Sequence, residues 1–105
     1  MTLKTPKAMM WVLQSIGADI ESLTFRLGSG AIKTIGRAPR ADFILDAPLV
    51  SRIHCRLEAV DGKLEVIDLR STNGIYVNGK RVKREPLSVG DTLRVGRVEF
   101  EVRQD

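Results

Sequence analysis

The stretch Ser51 to Gly79 reads SRIHCRLEAVDGKLEVIDLRSTNGIYVNG, and its patterning decides the fold class. From Ile53 to Ala59 every second residue is apolar: Ile53, Cys55, Leu57 and Ala59 on one face, His54, Arg56 and Glu58 on the other. Side chains alternate across a strand, so this run reads as a half-buried β-strand. Asp61-Gly62 then supplies the dipeptide favoured in two-residue hairpins, whose central residues take positive φ. Leu64 to Leu69 is the return strand. A second unit follows, in which Ile75-Tyr76-Val77 folds back at Asn78-Gly79 towards Arg81-Val82. Two polar loops, Ser51-Arg52 and Ser71-Thr72-Asn73-Gly74, sit at the same end of the first strand pair. Sheet strands hold their ends at a fixed separation, so the two loops form one polar rim, and Gly36-Arg37 joins it from upstream. A cation, three hydroxyls and a carboxamide on one rim are donors suited to an anion.

The rest of the chain has the same character. Met9 to Leu13 is a short apolar run, bounded by Gln14-Ser15 and containing the single tryptophan, Trp11, which reads as core. Ser22 to Leu27 alternates with period two, Gly28-Ser29-Gly30 turns the chain, and Ala31 to Ile35 is a further strand ending at Gly36. Arg37 to Asp42 is a loop stiffened by Pro39. Phe43-Ile44-Leu45 is a brief apolar run closed by Asp46-Ala47-Pro48. Lys80 to Arg84 reads as a basic loop. Thr92 to Val95 and Val98 to Val102 pair across Gly96-Arg97, a glycine-first turn of the II′ kind. Many short strands, regular turns and no amphipathic helix predict an all-β domain, a sandwich or barrel.

Composition excludes several classes. The 105 residues are 43% hydrophobic and 29% charged, the profile of a single globular domain rather than a disordered chain. Residues 1–8 lack apolar periodicity and read as a flexible tail, 9–102 as the domain, and 103–105 as a C-terminal tail. No run reaches the length of a membrane span, and the N-terminus lacks the cleavage pattern of a secretory signal. One cysteine, Cys55, permits no internal disulfide and fits a reducing compartment, so the expected location is cytoplasmic, or nuclear in a eukaryote. The formal charge of +4 favours anionic partners without choosing among them. Cys55 and His54 are adjacent in a strand and cannot complete a metal site. His54, Ser51 and Asp68 come without a nucleophile signature, so no catalytic residues are assigned.

The set Gly36-Arg37, Ser51-Arg52-Ile53-His54, Ser71-Thr72-Asn73-Gly74, Val77-Asn78-Gly79 and Gly90-Asp91 resembles, in order, the motifs of the forkhead-associated (FHA) domain. The resemblance covers roughly residues 9–102. It implies a β-sandwich of two antiparallel-rich sheets, about eleven strands in all, whose loops at one end bind phosphothreonine peptides without catalysis or cofactor. The partner would be a protein prepared by a Ser/Thr kinase. By the same resemblance Arg37 and Ser51 contact the phosphate, Thr72 adds a hydrogen bond, and Arg52 contacts phosphate or peptide. Asn73 would bond the peptide main chain, while Gly36, His54, Gly74, Asn78 and Gly79 shape the loops. Leu49 lies in the region that tunes selectivity beside the phosphothreonine. The chain departs from the family pattern at Ile75, where threonine is common.

Phosphate chemistry agrees with these assignments. A phosphothreonine carries roughly −1.5 to −2 charges and three strong acceptor oxygens, and arginine meets such a group with a planar fork that stays protonated. The alternative is a phosphate-independent interaction or dimerisation scaffold on the same fold. Nucleic-acid binding through the basic surplus is disfavoured, because few aromatic side chains are available for base stacking. Lys80 to Arg84 would favour acidic ligands, and Thr5, followed by Pro6 in the tail, is a candidate for modification by a kinase.

Overall fold

The computed structural model describes residues 10–17 and 22–105; Met9, Thr5 and the rest of the N-terminal tail lie outside the described residues. The described chain forms eleven strands: β1 (Met10–Ile16), β2 (Thr24–Gly28), β3 (Ile32–Gly36), β4 (Phe43–Ile44), β5 (Cys55–Val60), β6 (Lys63–Asp68), β7 (Ile75–Val77), β8 (Lys80–Val82), β9 (Arg84–Leu87), β10 (Thr92–Val95) and β11 (Val98–Gln104). They make two sheets, a six-stranded one in the order β2-β1-β11-β10-β7-β8 and a five-stranded one in the order β4-β3-β5-β6-β9. All pairings are antiparallel except β3 with β4. The fold class read from the sequence, an all-β sandwich, is the fold observed.

Alternation explains the core. Cys55, Leu57 and Ala59 of β5, Leu64 and Val66 of β6, Leu93 and Val95 of β10, and Phe100 and Val102 of β11 are buried, facing each other from the two sheets. Phe25 stacks on Phe43 at 4.6 Å and lies 5.1 Å from Phe100, closing the side of the sandwich where β4 is only two residues long. Trp11 is buried, as expected. In β1 the residues Trp11, Val12 and Leu13 are buried in succession. Val12 pairs with Arg26 on one side and Arg103 on the other, and the stems of long basic side chains can cover an apolar neighbour on the outer face.

Three expectations need correction. The run Lys80 to Arg84 is no loop: Lys80–Val82 is β8 of the larger sheet and Arg84–Leu87 is β9 of the smaller one, with Lys83 alone crossing between them. Charge hid these strands, because both are edge strands whose outer faces accept Lys and Arg. β1 continues through Gln14 and Ser15, where polar side chains bond into the sheet: Thr24 Oγ1 donates to Gln14 Oε1 at 2.6 Å, and Leu23 N donates to Ser15 Oγ at 2.7 Å. At the C-terminus β11 runs to Gln104, so Arg103 and Gln104 are strand rather than tail, and Asp105 N donates to Met10 O at 2.9 Å.

The strand directions sort the links into two ends. At one end lie the β2–β3, β5–β6, β7–β8 and β9–β10 links. These include Asp61 (φ 54°) with Gly62 (φ 74°) and Asn78 (φ 52°) with Gly79 (φ 83°). Two successive positive φ values mark the I′ turns that each dipeptide predicts. At the other end lie residues 37–42, 45–54, 69–74, Lys83 and 96–97. Every polar loop singled out in the sequence is at this second end.

Candidate phosphate-binding loop end

Gly36 closes β3 and delivers Arg37. A β-carbon at Gly36 would collide with the Arg52 carbonyl and stand 2.8 Å from Ile53 Cα. Glycine is needed here for close approach of two backbones rather than for an unusual dihedral. That approach lets Arg37 N donate to Ser51 O and Ala38 N to Arg52 O, each at 3.0 Å. The Arg37 guanidinium is pinned at its base, where Nε donates to Val50 O at 3.1 Å. Its two terminal nitrogens have no partner among the described residues, and the side chain is exposed beside Asp46, Ala47, Pro48 and Leu49.

Ser51 bridges to the next loop. Its Oγ accepts from Thr72 N at 3.1 Å, which leaves the hydroxyl proton available to an outside acceptor. Thr72 is exposed, and its own hydroxyl is unbonded among the described residues. Asn73 Nδ2 donates to Leu49 O at 3.1 Å, so its second amide proton and its Oδ1 are both spare. Arg37, Ser51, Thr72 and Asn73 are thereby linked through main-chain and side-chain bonds. Arg52 is brought to the same end by its carbonyl, with an exposed side chain that bonds to no described residue.

Ser71 does not join them. Its Oγ donates to Asp68 and accepts from Gly74 N at 2.9 Å, so the third hydroxyl of the rim is consumed inside its own turn.

His54 is the centre of the arrangement. The alternation had placed it on the face opposite Cys55, yet both are fully buried. It stands one residue before β5, where the chain is still bent and the period of two has not begun. Its N donates to Ile35 O at 2.8 Å and its O accepts from Leu69 N at 3.0 Å. Ser51 N donates to Nδ1 at 2.9 Å, which requires that nitrogen to carry no proton, so Nε2 donates to Gly74 O at 2.8 Å. One imidazole therefore ties the Ser51 loop to the Thr72 loop, a structural role with no ring nitrogen left for chemistry. Cys55 beside it is inert, its thiol pushed far up by burial, with Asp68 adding to the effect.

Asn78 and Gly79 are at the far end of the sandwich. Asn78 Nδ2 donates to Asp91 Oδ1 at 3.0 Å and Thr92 N donates to Asn78 Oδ1 at 2.9 Å, so this turn shapes the fold away from the candidate site. The contacts of two residues at the loop end escaped the sequence reading. Gly96 (φ 62°) packs its α-carbon against Val50 and Pro48, and the Arg81 guanidinium lies over Gly74. Gly96 looks in sequence like any hairpin glycine, and Arg81 like one of several basic residues in a row.

Leu49 has a positive φ of 69° and is 46% exposed. It follows Pro48 in a turn whose Val50 N donates to Ala47 O at 3.4 Å. Proline then a left-handed residue is the type II pattern, which normally takes glycine at the position of Leu49.

Comparison with known proteins agrees with this geometry. The FHA-domain family model matches residues 33–96. The oxoglutarate dehydrogenase inhibitor of Corynebacterium diphtheriae is 44% identical over 64 residues, 61% of this chain and 45% of that protein. The chain thus spans about half the length of such relatives. Among solved structures, EmbR of Mycobacterium tuberculosis, in complex with a low-affinity phosphopeptide, superposes with a TM-score of 0.80 at 28% identity, covering 90% of this chain and 24% of that one. An FHA domain solved in work on phosphothreonine-dependent interactions gives 0.77 at 33% identity, covering 92% of this chain and 96% of that one. With the sandwich, the ordered motifs and the family match in agreement, the chain belongs to the FHA-domain family.

Proposed function

We propose that the loop end binds phosphothreonine-containing peptides and does no chemistry on them, serving as a recognition module in Ser/Thr kinase signalling. The observation that carries this is the state of Arg37. Its Nε is anchored to Val50 O, and both terminal nitrogens are left over next to the Ser51 hydroxyl loop. An anchored guanidinium loses less freedom on meeting an anion, and its paired N–H groups match two phosphate oxygens. Ser51 and Thr72 offer neutral donors at the same rim, and the spare carbonyl and amide proton of Asn73 suit the main chain of an extended peptide. Arg52 adds charge, and Leu49 offers an exposed apolar contact for a residue beside the phosphothreonine. FHA structures that concern phosphothreonine-dependent interactions and a bound phosphopeptide support the reading.

No described helix is long and apolar enough to cross a membrane, and cytoplasmic placement fits the buried free thiol of Cys55. A regulatory role without catalysis fits the nature of the family.

Calorimetric titration with a phosphothreonine peptide and its dephosphorylated copy tests the proposal. Binding of the first and not the second is expected, and equal affinity for both defeats it. Arg37→Ala removes the charged partner of the phosphate and is expected to cost about 2–5 kcal/mol of affinity. Its side chain is exposed, so the denaturation midpoint should barely move.

A further inference from the structure

We infer that Arg81 reads an acidic side chain flanking the ligand's phosphothreonine, which makes the module selective for acidic phosphopeptides. The inference rests on the phosphopeptide reading above and gives it a sequence preference. Arg81 lies on β8, cross-strand from Tyr76. From there its Nε, Cζ and Nη2 all come within 2.9 Å of the point where a β-carbon would stand on Gly74. The flat of the guanidinium therefore rests on the main chain of Gly74, the residue after Asn73. A β-carbon there would push the guanidinium off this seat. Gly74 itself is held by His54 through its carbonyl and by Ser71 through its N–H. A cation is thus seated on a fixed support one residue from the proposed grip on the peptide backbone.

The other basic residues of the run Lys80–Arg84 are placed differently. Arg84 Nη2 is paired with Glu65 Oε1 at 2.7 Å on the smaller sheet. Lys80 opens β8 beside the turn at the far end, and Lys83 is the link between the sheets, its carbonyl taken by Asp68 N. Arg81 is exposed, and its guanidinium nitrogens bond to no described residue. The surrounding loops add Arg40, Arg52, Arg70 and Arg97, against Asp42, Asp46 and the Ser71-bound Asp68. The field at this end therefore favours further negative charge beside the phosphate.

An exposed pair of this kind gives a modest, salt-sensitive preference, on the order of two- to five-fold. The test uses three phosphothreonine peptides, with glutamates on the N-terminal side, on the C-terminal side, or replaced by glutamine, titrated against wild type and Arg81 variants at low and high salt. Wild type should prefer one glutamate peptide over the glutamine peptide. Arg81→Gln should lose that preference while binding the glutamine peptide as before, Arg81→Lys should retain most of it, and Arg81→Glu should reverse it. Phosphate-dependent binding with the preference intact in Arg81→Gln overturns the inference and leaves the phosphopeptide reading standing. An equal loss for all three peptides in Arg81→Gln assigns Arg81 a packing role alone and also overturns it. Failure of wild type to distinguish phosphorylated from dephosphorylated peptide defeats the underlying reading instead.

Discussion

A methyl group added at Gly28, Gly30, Gly62, Gly79 or Gly90 would meet open space, whereas at Gly36, Gly74 or Gly96 it would meet a neighbouring segment at under 3.0 Å. The first five lie at the hairpin end and the other three at the loop end. Glycine does two different jobs at the two ends. At the hairpin end it mostly supplies a dihedral, and its neighbours in sequence are the whole reason for its presence. At the loop end it also supplies room for a distant segment: Arg52 at Gly36, which needs room alone, and Arg81 at Gly74 (φ 75°) and Pro48 to Val50 at Gly96 (φ 62°), which need both. One end is a set of tight turns, joined where Asn78 bonds Asp91 and Thr92, the other a set of long loops leaning on one another. Several loops held by mutual contact can present donors in a fixed relation, which a row of separate hairpins cannot.

The contrast is open to attack by mutation. His54→Ala should have the largest effect, because it empties a fully buried site and strips partners from Ser51 N and Gly74 O. Cavity and lost bonds together are expected to cost about 3–5 kcal/mol in urea denaturation. Phosphopeptide affinity should fall with it even where the protein remains folded, since the two loops lose their tie. If His54→Ala bound phosphopeptide like wild type, the loops would not depend on each other.

Paired alanine substitutions probe the glycines directly. Gly36→Ala forces the Arg52 backbone aside and should cost about 1–3 kcal/mol as an overpacking change, with phosphopeptide affinity reduced as Arg37 and Ser51 move apart. Gly79→Ala meets no atoms, and only its φ of 83° is unfavourable. About 1 kcal/mol of stability should be lost there, with binding untouched. Equal losses of affinity from the two variants would erase the distinction between the ends.

Leu49→Gly gives the smallest change and the opposite sign. Relief of a left-handed leucine is worth about 1–2 kcal/mol, offset by the roughly 0.5–1 kcal/mol that glycine's freedom costs the folded state. A small rise in the thermal midpoint is expected, together with an altered preference for the residue beside the phosphothreonine. A fall in the midpoint would mean that the half-exposed Leu49 side chain contributes more through contact than its φ of 69° costs.

Period-two alternation in β5, β6, β10 and β11 and the Asp61-Gly62 and Asn78-Gly79 turns were legible because each is a local rule, settled within a few residues. The loop motifs were legible as a set through their resemblance to a family, which named the rim residues but not their bonds. Elsewhere the local rules misled. Lys80 to Arg84 looked like a loop because charge is common in loops and equally welcome on an exposed edge strand. His54 fell on the face opposite Cys55 because alternation was extended past the point where the strand begins.

By itself the chain determined the all-β class, the positions of its tight turns and the inward face of its long strands, since backbone sterics and the burial of every second side chain act between neighbours in sequence. Only the tertiary structure decided which end each loop occupies, that Ser71 is spent on Asp68 and Gly74, that one imidazole joins two loops, and that Arg81 rests on Gly74. Those outcomes depend on atoms far apart in the chain meeting within a few ångströms, and no rule about adjacent residues contains that distance.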